Sequence, residues 1–262
     1  LHLTQSAISR QIKALETELG AALFNRGTRK VELTAAGVLL RQAVLPALDG
    51  IDRSVRQIRV AQGRRAVSVS TFASFATLWL LPRLAGFQQQ HPDIDIRISA
   101  TDQRVDMDDP EVDVALRYDD PAAVPPGAEP MFGELLTPAA SPWLVQQAAS
   151  GQAPPLRSAA DLAGHALLEE DDHHPSAANL SWLRWLSLQG HVGLVPRRWI
   201  YLNYTHQQVQ GALAGQGVAL ARLALVHDLL ARGELVEPFG QRGRLPSPTG
   251  YWLVPTLGTR LR

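Results

Sequence analysis

Apolar residues change their spacing along the chain, and each change predicts a different element. From Thr4 to Gly20, Ile8, Ile12, Leu15 and Leu19 recur at steps of four, three and four, the single stripe of an α-helix. Thr4 offers an N-cap hydroxyl and Gly20 a C-terminal stop. Ala21 to Phe24 form a short apolar anchor, Asn25 to Lys30 a basic turn centred on Gly27, and Val31-Glu32-Leu33 a short alternating strand. Thr34-Ala35-Ala36-Gly37 then caps a second helix running to about Gln62. In that helix Val44, Leu48, Ile51, Val55 and Ile58 alternate steps of four and three, the 3.5-residue seam of a coiled coil. Pro46 removes a backbone donor and predicts a bend.

Beyond Gly63-Arg64-Arg65 the period becomes alternating. Val67 and Val69 mark a strand, and Thr71 to Thr77 a polar turn. The next helix carries Leu78, Leu81, Leu84 and Phe87, with Pro82 expected in its first turn. Ile94, Ile96 and Ile98 give a strand ending in Thr101-Asp102, and Val112 to Tyr118 another; Asp106 to Glu111 and Pro121 to Pro130 read as loops. Further strands are expected at Glu134–Ala140, Ala166–Leu168, Trp199–Leu202, Val218–Ala221 and Tyr251–Val254. Helices are expected at Pro142–Ala149, Trp182–Leu186, Thr205–Ala214 and Ala224–Arg232, with a helical turn at Ser158–Leu162. Strands alternating with helices predict two α/β halves, each a parallel sheet with helices on its faces. Ligands of such sheets sit beyond the carboxyl ends of the strands.

Charge divides the chain where the period changes. Through Arg65 there are eleven lysines and arginines against five acids, and from Ala66 onward fourteen against twenty. A basic front and an acidic remainder place nucleic-acid affinity in the front segment. No cysteine is present, which excludes disulfides, thiolate metal sites and cysteine nucleophiles. No apolar run reaches the roughly twenty residues that span a bilayer, and no signal peptide opens the sequence, so a cytoplasmic protein is expected. A first residue already inside a helix-turn-helix pattern reads as a chain lacking its N-terminus.

The polar face of the first helix carries the candidate chemistry. Ser6, Ser9, Arg10 and Lys13 share one face, with Gln5 in the first turn. Hydroxyls and amides reach base edges, arginine forks onto guanine, and lysine grips phosphate. Helix, basic hairpin and capped helix is the order of a winged helix-turn-helix. The run Leu3-Thr4-Gln5-Ser6-Ala7-Ile8-Ser9-Arg10-Gln11-Ile12, with Leu15-Glu16, Leu19-Gly20, Leu23-Phe24-Asn25-Arg26 and Leu33-Thr34-Ala35-Ala36-Gly37, closely resembles the LysR-type transcriptional regulators. Later phrases match too: Leu80 to Leu84 with Phe87, His91 to Ile94, Val112 to Tyr118, Ser141-Pro142, Gly215 to Leu220 and Gly233 to Val236. Asp113 to Tyr118 leans toward the branch of the glycine-cleavage and β-lactamase regulators. Arg222 departs from the pattern, standing where many relatives place proline.

The resemblance implies an α/β architecture: a winged helix-turn-helix over residues 1–33, a linker and dimerisation helix over 34–63, and a two-lobed, periplasmic-binding-protein-like effector domain over 64–262. Lobe I is expected at about 66–140 and 245–262, lobe II at about 141–244. Gln5, Ser6, Ser9 and Arg10 are expected at bases, and Lys13, Arg26, Arg29 and Lys30 at phosphates of double-stranded DNA. Strand ends and helix starts nominate Thr71, Phe72, Ser74, Thr101, Asp102, Tyr204, Thr205 and Tyr251 for a small anionic or zwitterionic effector. A homodimer through the linker helix follows from the seam, and its doubling to a tetramer from the resemblance alone. Glu169 to His174 reads as a solvated acidic loop rather than a metal site, since consecutive residues converge poorly on one ion. The histidines lack any nucleophile-elbow or metalloprotease context, so neither catalysis nor a cofactor is expected. A solute-binding protein with helices serving only for assembly, and an α/β enzyme with a helical appendage, are the competing readings.

Overall fold

The computed structural model describes residues 5–26, 31–60, 65–101, 112–171 and 175–256. The chain divides into two compact units, Leu1–Gly63 and Arg64–Arg262. In the first, α1 (Gln5–Leu19) is followed by a hairpin of β1 (Phe24–Arg26) and β2 (Val31–Leu33), then α2 (Ala35–Val60). Gly20 ends α1 at φ 66°, a conformation open to glycine at no steric cost. Glu16 points to the hairpin, accepting the Leu23 and Phe24 N–H groups at 2.7 and 3.2 Å. Thr34 is the hinge into α2: its hydroxyl donates to the Ala22 carbonyl at 2.6 Å and accepts the Gly37 N–H at 3.1 Å. Thr4, the expected cap of α1, lies outside the described residues, as does the turn at 27–30.

The second unit is built on one mixed sheet of eight strands. These are β3 (Arg65–Thr71), β4 (Ile94–Ala100), β5 (Val114–Asp119), β6 (Glu129–Ala139), β7 (Ala166–Glu170), β8 (Arg198–Leu202), β9 (Val218–Arg222) and β10 (Leu245–Pro255). Their order is β4-β3-β5-β10-β6-β9-β7-β8. β3, β4 and β5 are parallel, as are β7, β8 and β9, giving one parallel half to each lobe. The eleven-residue strands β6 and β10 run antiparallel to each other and to their outer neighbours, and they carry the chain between the lobes. Each is longer than its apolar pattern predicts, because Glu129 and Pro130 pair with Leu253 and Trp252, and Leu245, Pro246 and Gly250 pair with Leu136, Leu135 and Gly133 around an irregularity at 247–249.

The helices follow the expected positions. α5 (Pro142–Ala149) is capped by Ser141, whose hydroxyl accepts the Leu144 N–H at 3.2 Å. α6 (Trp182–Leu188), α7 (Thr205–Leu213) and α8 (Leu223–Ala231) complete lobe II. Trp182 and Trp185 pack edge to face at 5.4 Å in its core, their indole N–H groups donating to the Leu168 and Gly243 carbonyls. Truncating such a ring costs about 3–5 kcal/mol.

Helical structure begins with α3 (Ala73–Phe75), widens to a π-turn over Ala76–Leu80, and continues as α4 (Leu81–Gln90). Pro82 takes the second position of α4, in the first turn where it was expected and where a missing donor costs little. One expectation is corrected: Glu169 and Glu170, read as part of an acidic loop, are the last residues of β7, paired in register with Tyr201 and Leu202.

Gly37 and Gly86 provide a paired test of this packing. A Cβ on Gly37 would lie 2.2 Å from the Leu23 carbonyl oxygen, whereas one on Gly86 meets nothing within 4 Å. Gly37→Ala is expected to destabilise the first unit by about 1–3 kcal/mol, and Gly86→Ala to stabilise the second by roughly 0.5–1 kcal/mol. Native-state hydrogen exchange on each unit checks both signs.

Candidate functional site

On α1 the side chains of Ser6, Ser9, Arg10 and Lys13 are exposed along one face, while Ile12 is half-buried. Gln5 opens the helix and Arg26 closes β1, their backbones alone being described; Arg29 and Lys30 lie outside the described residues. The face therefore presents short hydroxyls and two cations to solvent, with Glu16 turned away into the hairpin.

In the second unit the strand ends meet. Thr71 closes β3, and its carbonyl accepts the Thr101 N–H at 2.8 Å, so these two candidates are adjacent; Asp102 lies outside the described residues. Ser74, at the start of the helical run after β3, faces the start of α7 in the other lobe. Its hydroxyl accepts the His206 N–H at 3.2 Å and lies 3.3 Å from the His206 imidazole Nδ1. Tyr204 stacks on His206 at 5.3 Å. Six of the nominated residues thus lie at or beside the junction of the two lobes: Thr71, Phe72, Ser74, Thr101, Tyr204 and Thr205.

Tyr251 is placed differently from its expected position at the strand mouth. It is fully buried, and its hydroxyl donates to Glu134. Its ring belongs to an aromatic cluster with Phe72, Phe75, Tyr118 and Phe132, at centroid distances of 4.7 to 6.2 Å. Burial pushes the Tyr251 phenol and the Glu134 carboxyl upward, so both favour their neutral forms. Arg117, half-buried, is spent on lobe I, donating to the Ser70 carbonyl and hydroxyl at 3.2 and 2.9 Å.

Arg222, which the sequence marks only as a departure from the family pattern and not as a site residue, stands at the end of the fully buried strand β9. Its guanidinium carbon lies 4.5 Å from the Tyr118 ring centroid and 5.7 Å from that of Phe72. Its Nη2 faces Glu170 Oε2 at 3.6 Å, and Glu170 in turn accepts the Thr205 hydroxyl at 2.7 Å. Burial lowers the arginine pKa, but the neighbouring Glu170 carboxylate leads the opposing effects and the net shift is upward, so the guanidinium stays charged. An arginine inside the apolar run from Val218 to Leu225 was the available signal. A separate cavity of about 370 Å³ lies between Trp79 and Arg83 on one side and Leu223, Ala224 and His227 on the other, floored by Phe132 to Leu135. None of the nominated strand-end residues lines it, but Glu134, which accepts the Tyr251 hydroxyl, does.

Glu169 gives this region a pH signature. Burial pushes its carboxyl up to about 7; the Trp182 N–H opposes the shift, and Glu170 and Asp171 add to it. The folded protein therefore binds a proton that the unfolded chain releases near 4.5, and stability falls as pH rises between these values. Glu169→Gln keeps an acceptor for Trp182 and removes the penalty. It is expected to be more stable than the parent by about 1–2 kcal/mol at pH 8.5, after allowance for solvent screening. The difference should vanish as the pH falls toward 4.5, as read by urea unfolding.

Comparison with known proteins agrees with this geometry. Residues 1–38 match the bacterial regulatory helix-turn-helix protein, lysR family, and residues 61–256 the LysR substrate binding domain. The chain is 32% identical over 254 residues to the glycine cleavage system transcriptional activator of Escherichia coli K12, covering 97% of this chain and 79% of that protein. It is 33% identical over 256 residues to the transcriptional activator AmpR of Pseudomonas aeruginosa, covering 97% and 80%. The solved effector domain of Pseudomonas aeruginosa AmpR superposes with a TM-score of 0.53 at 30% identity, over 74% of this chain and 86% of that one. The chain belongs to the LysR family of transcriptional regulators, with a DNA-binding helix-turn-helix joined to an effector-binding domain of two α/β lobes, and it is not an enzyme.

Proposed function

We propose that this regulator reads an operator through α1 and is switched by a small anionic or zwitterionic metabolite held between the lobes. Gln5, Ser6, Ser9 and Arg10 take the base edges; Lys13, Arg26, Arg29 and Lys30 take phosphates. The metabolite meets the Thr71–Ser74 segment and Thr101 from lobe I and the Tyr204–Thr205 helix start from lobe II. The observation that carries this reading is the Ser74–His206 contact, because it brings the two strand-end segments to one junction. A ligand gripping both sides shifts the lobes toward the closed state by its difference in affinity for closed and open forms.

We assign residues 1–33 to DNA binding, 34–63 to the linker helix and 64–262 to the effector domain. Val44, Leu48 and Ile51 on α2 are exposed by 40 to 59%, which fits a helix seam completed by a second copy. Pairing of effector domains then yields a tetramer, and closure within each domain changes the spacing of the DNA-binding heads. A protein acting on chromosomal DNA works in the cytoplasm.

A gel shift with the DNA upstream of its own gene, at stated salt and against random DNA, tests the reading. Arg10→Ala is expected to lose about 1–3 kcal/mol on the specific site and to relax discrimination. Equal losses on specific and random DNA would remove the base contact.

A further inference from the structure

Resting on the inter-lobe reading above, we propose that the cleft is built for a zwitterion, an α-amino acid or a compound with the same carboxylate and ammonium pair. Arg222 holds its carboxylate and Glu170 its ammonium.

Arg222 is 6% exposed, and its Nε has no hydrogen-bond partner among the described residues. A guanidinium carries five donors in a fixed fork that matches a carboxylate two bonds at a time. Its ion-pair partner Glu170 stands 3.6 Å away, beyond hydrogen-bond length, and is held there by the Thr205 hydroxyl. The guanidinium is thus charged, buried and short of acceptors. Thr71, next to Phe72, is fully buried with a hydroxyl that also has no partner among the described residues. Thr71, Phe72 and Tyr118 come from lobe I, Arg222 and Glu170 from lobe II, so unmet hydrogen-bonding capacity lies on both sides of the junction.

Charge selects the ligand class. Arg222 faces Glu170 at 3.6 Å, Glu134 accepts the Tyr251 hydroxyl, and Glu169 accepts the Trp182 N–H. A simple anion drawn to Arg222 would also meet the Glu170 carboxylate, and a simple cation drawn to Glu170 would also meet the guanidinium. A zwitterion adds no net charge, offers the Arg222 Nε an acceptor and gives Glu170 a charged donor beside the Thr205 hydroxyl. Phe72 and Tyr118 form the remaining wall, which suits an apolar side chain.

The test uses the whole chain and the twenty L-amino acids, screened by thermal shift and followed by titration calorimetry. Each hit is compared with its desamino acid and its decarboxylated amine. At least one amino acid is expected to bind, with both analogues weaker by at least about tenfold. Arg222→Gln and Glu170→Gln should each weaken it by a similar factor. Thr71→Val, which keeps the shape and removes one hydroxyl, should weaken it severalfold even if the Arg222 variant does not fold. A desamino acid binding as well as its amino acid, or an unchanged affinity in Glu170→Gln, overturns the zwitterion assignment. So does the absence of any amino-acid ligand where another metabolite binds and is lost in Thr205→Val, a result that keeps the inter-lobe reading. A ligand indifferent to every one of these variants removes the inter-lobe reading itself.

Discussion

A permanently charged guanidinium buried where two lobes meet constrains everything around it. Taking such a group out of water costs several kcal/mol, and the surroundings must return most of that. Here the return comes from Glu170 at the end of β7, from the faces of Tyr118 and Phe72, and from the tyrosine–glutamate pair of Tyr251 and Glu134. Those groups belong to strands β5, β6, β7 and β10 and to the turn after β3. One side chain thus ties both parallel halves and the two crossing strands together. Any movement of the lobes changes its environment, which is the property a ligand-operated hinge requires.

The same arrangement explains how a small molecule can act at a distance. Lobes in contact through Ser74 and His206 differ from separated lobes by a handful of hydrogen bonds, each worth about 0.5–1.5 kcal/mol net. A ligand discriminating between the two states by about 1.4 kcal/mol shifts their ratio tenfold. That scale suits a reversible switch.

Most of this fold was legible in the sequence because apolar spacing is local. Helices α5, α7 and α8 and strands β4, β8 and β9 fall within a residue or two of their expected limits. What escaped depends on partners distant in sequence. Glu169 and Glu170 read as loop because two acids follow three apolar residues and more acids come after; only the register against β8 and the Arg222 charge make them strand. The π-turn at 76–80 left no periodic trace. The nominated strand-end residues fall beside the lobe junction because the α/β architecture fixes where such ends point. Tyr251 was misplaced because alternation along β10 does not say which buried carboxyl awaits its hydroxyl.

The central claim is that Arg222 and Glu170 stabilise each other across a buried contact, and a double-mutant cycle measures this directly. Arg222→Leu, Glu170→Leu and the double variant would be compared by urea unfolding at neutral pH. Each single replacement should destabilise strongly, about 3–5 kcal/mol, by leaving a buried charge without its partner. The double should be far milder than their sum. If the two losses simply add, the charges do not depend on each other, and the account of the lobe junction fails.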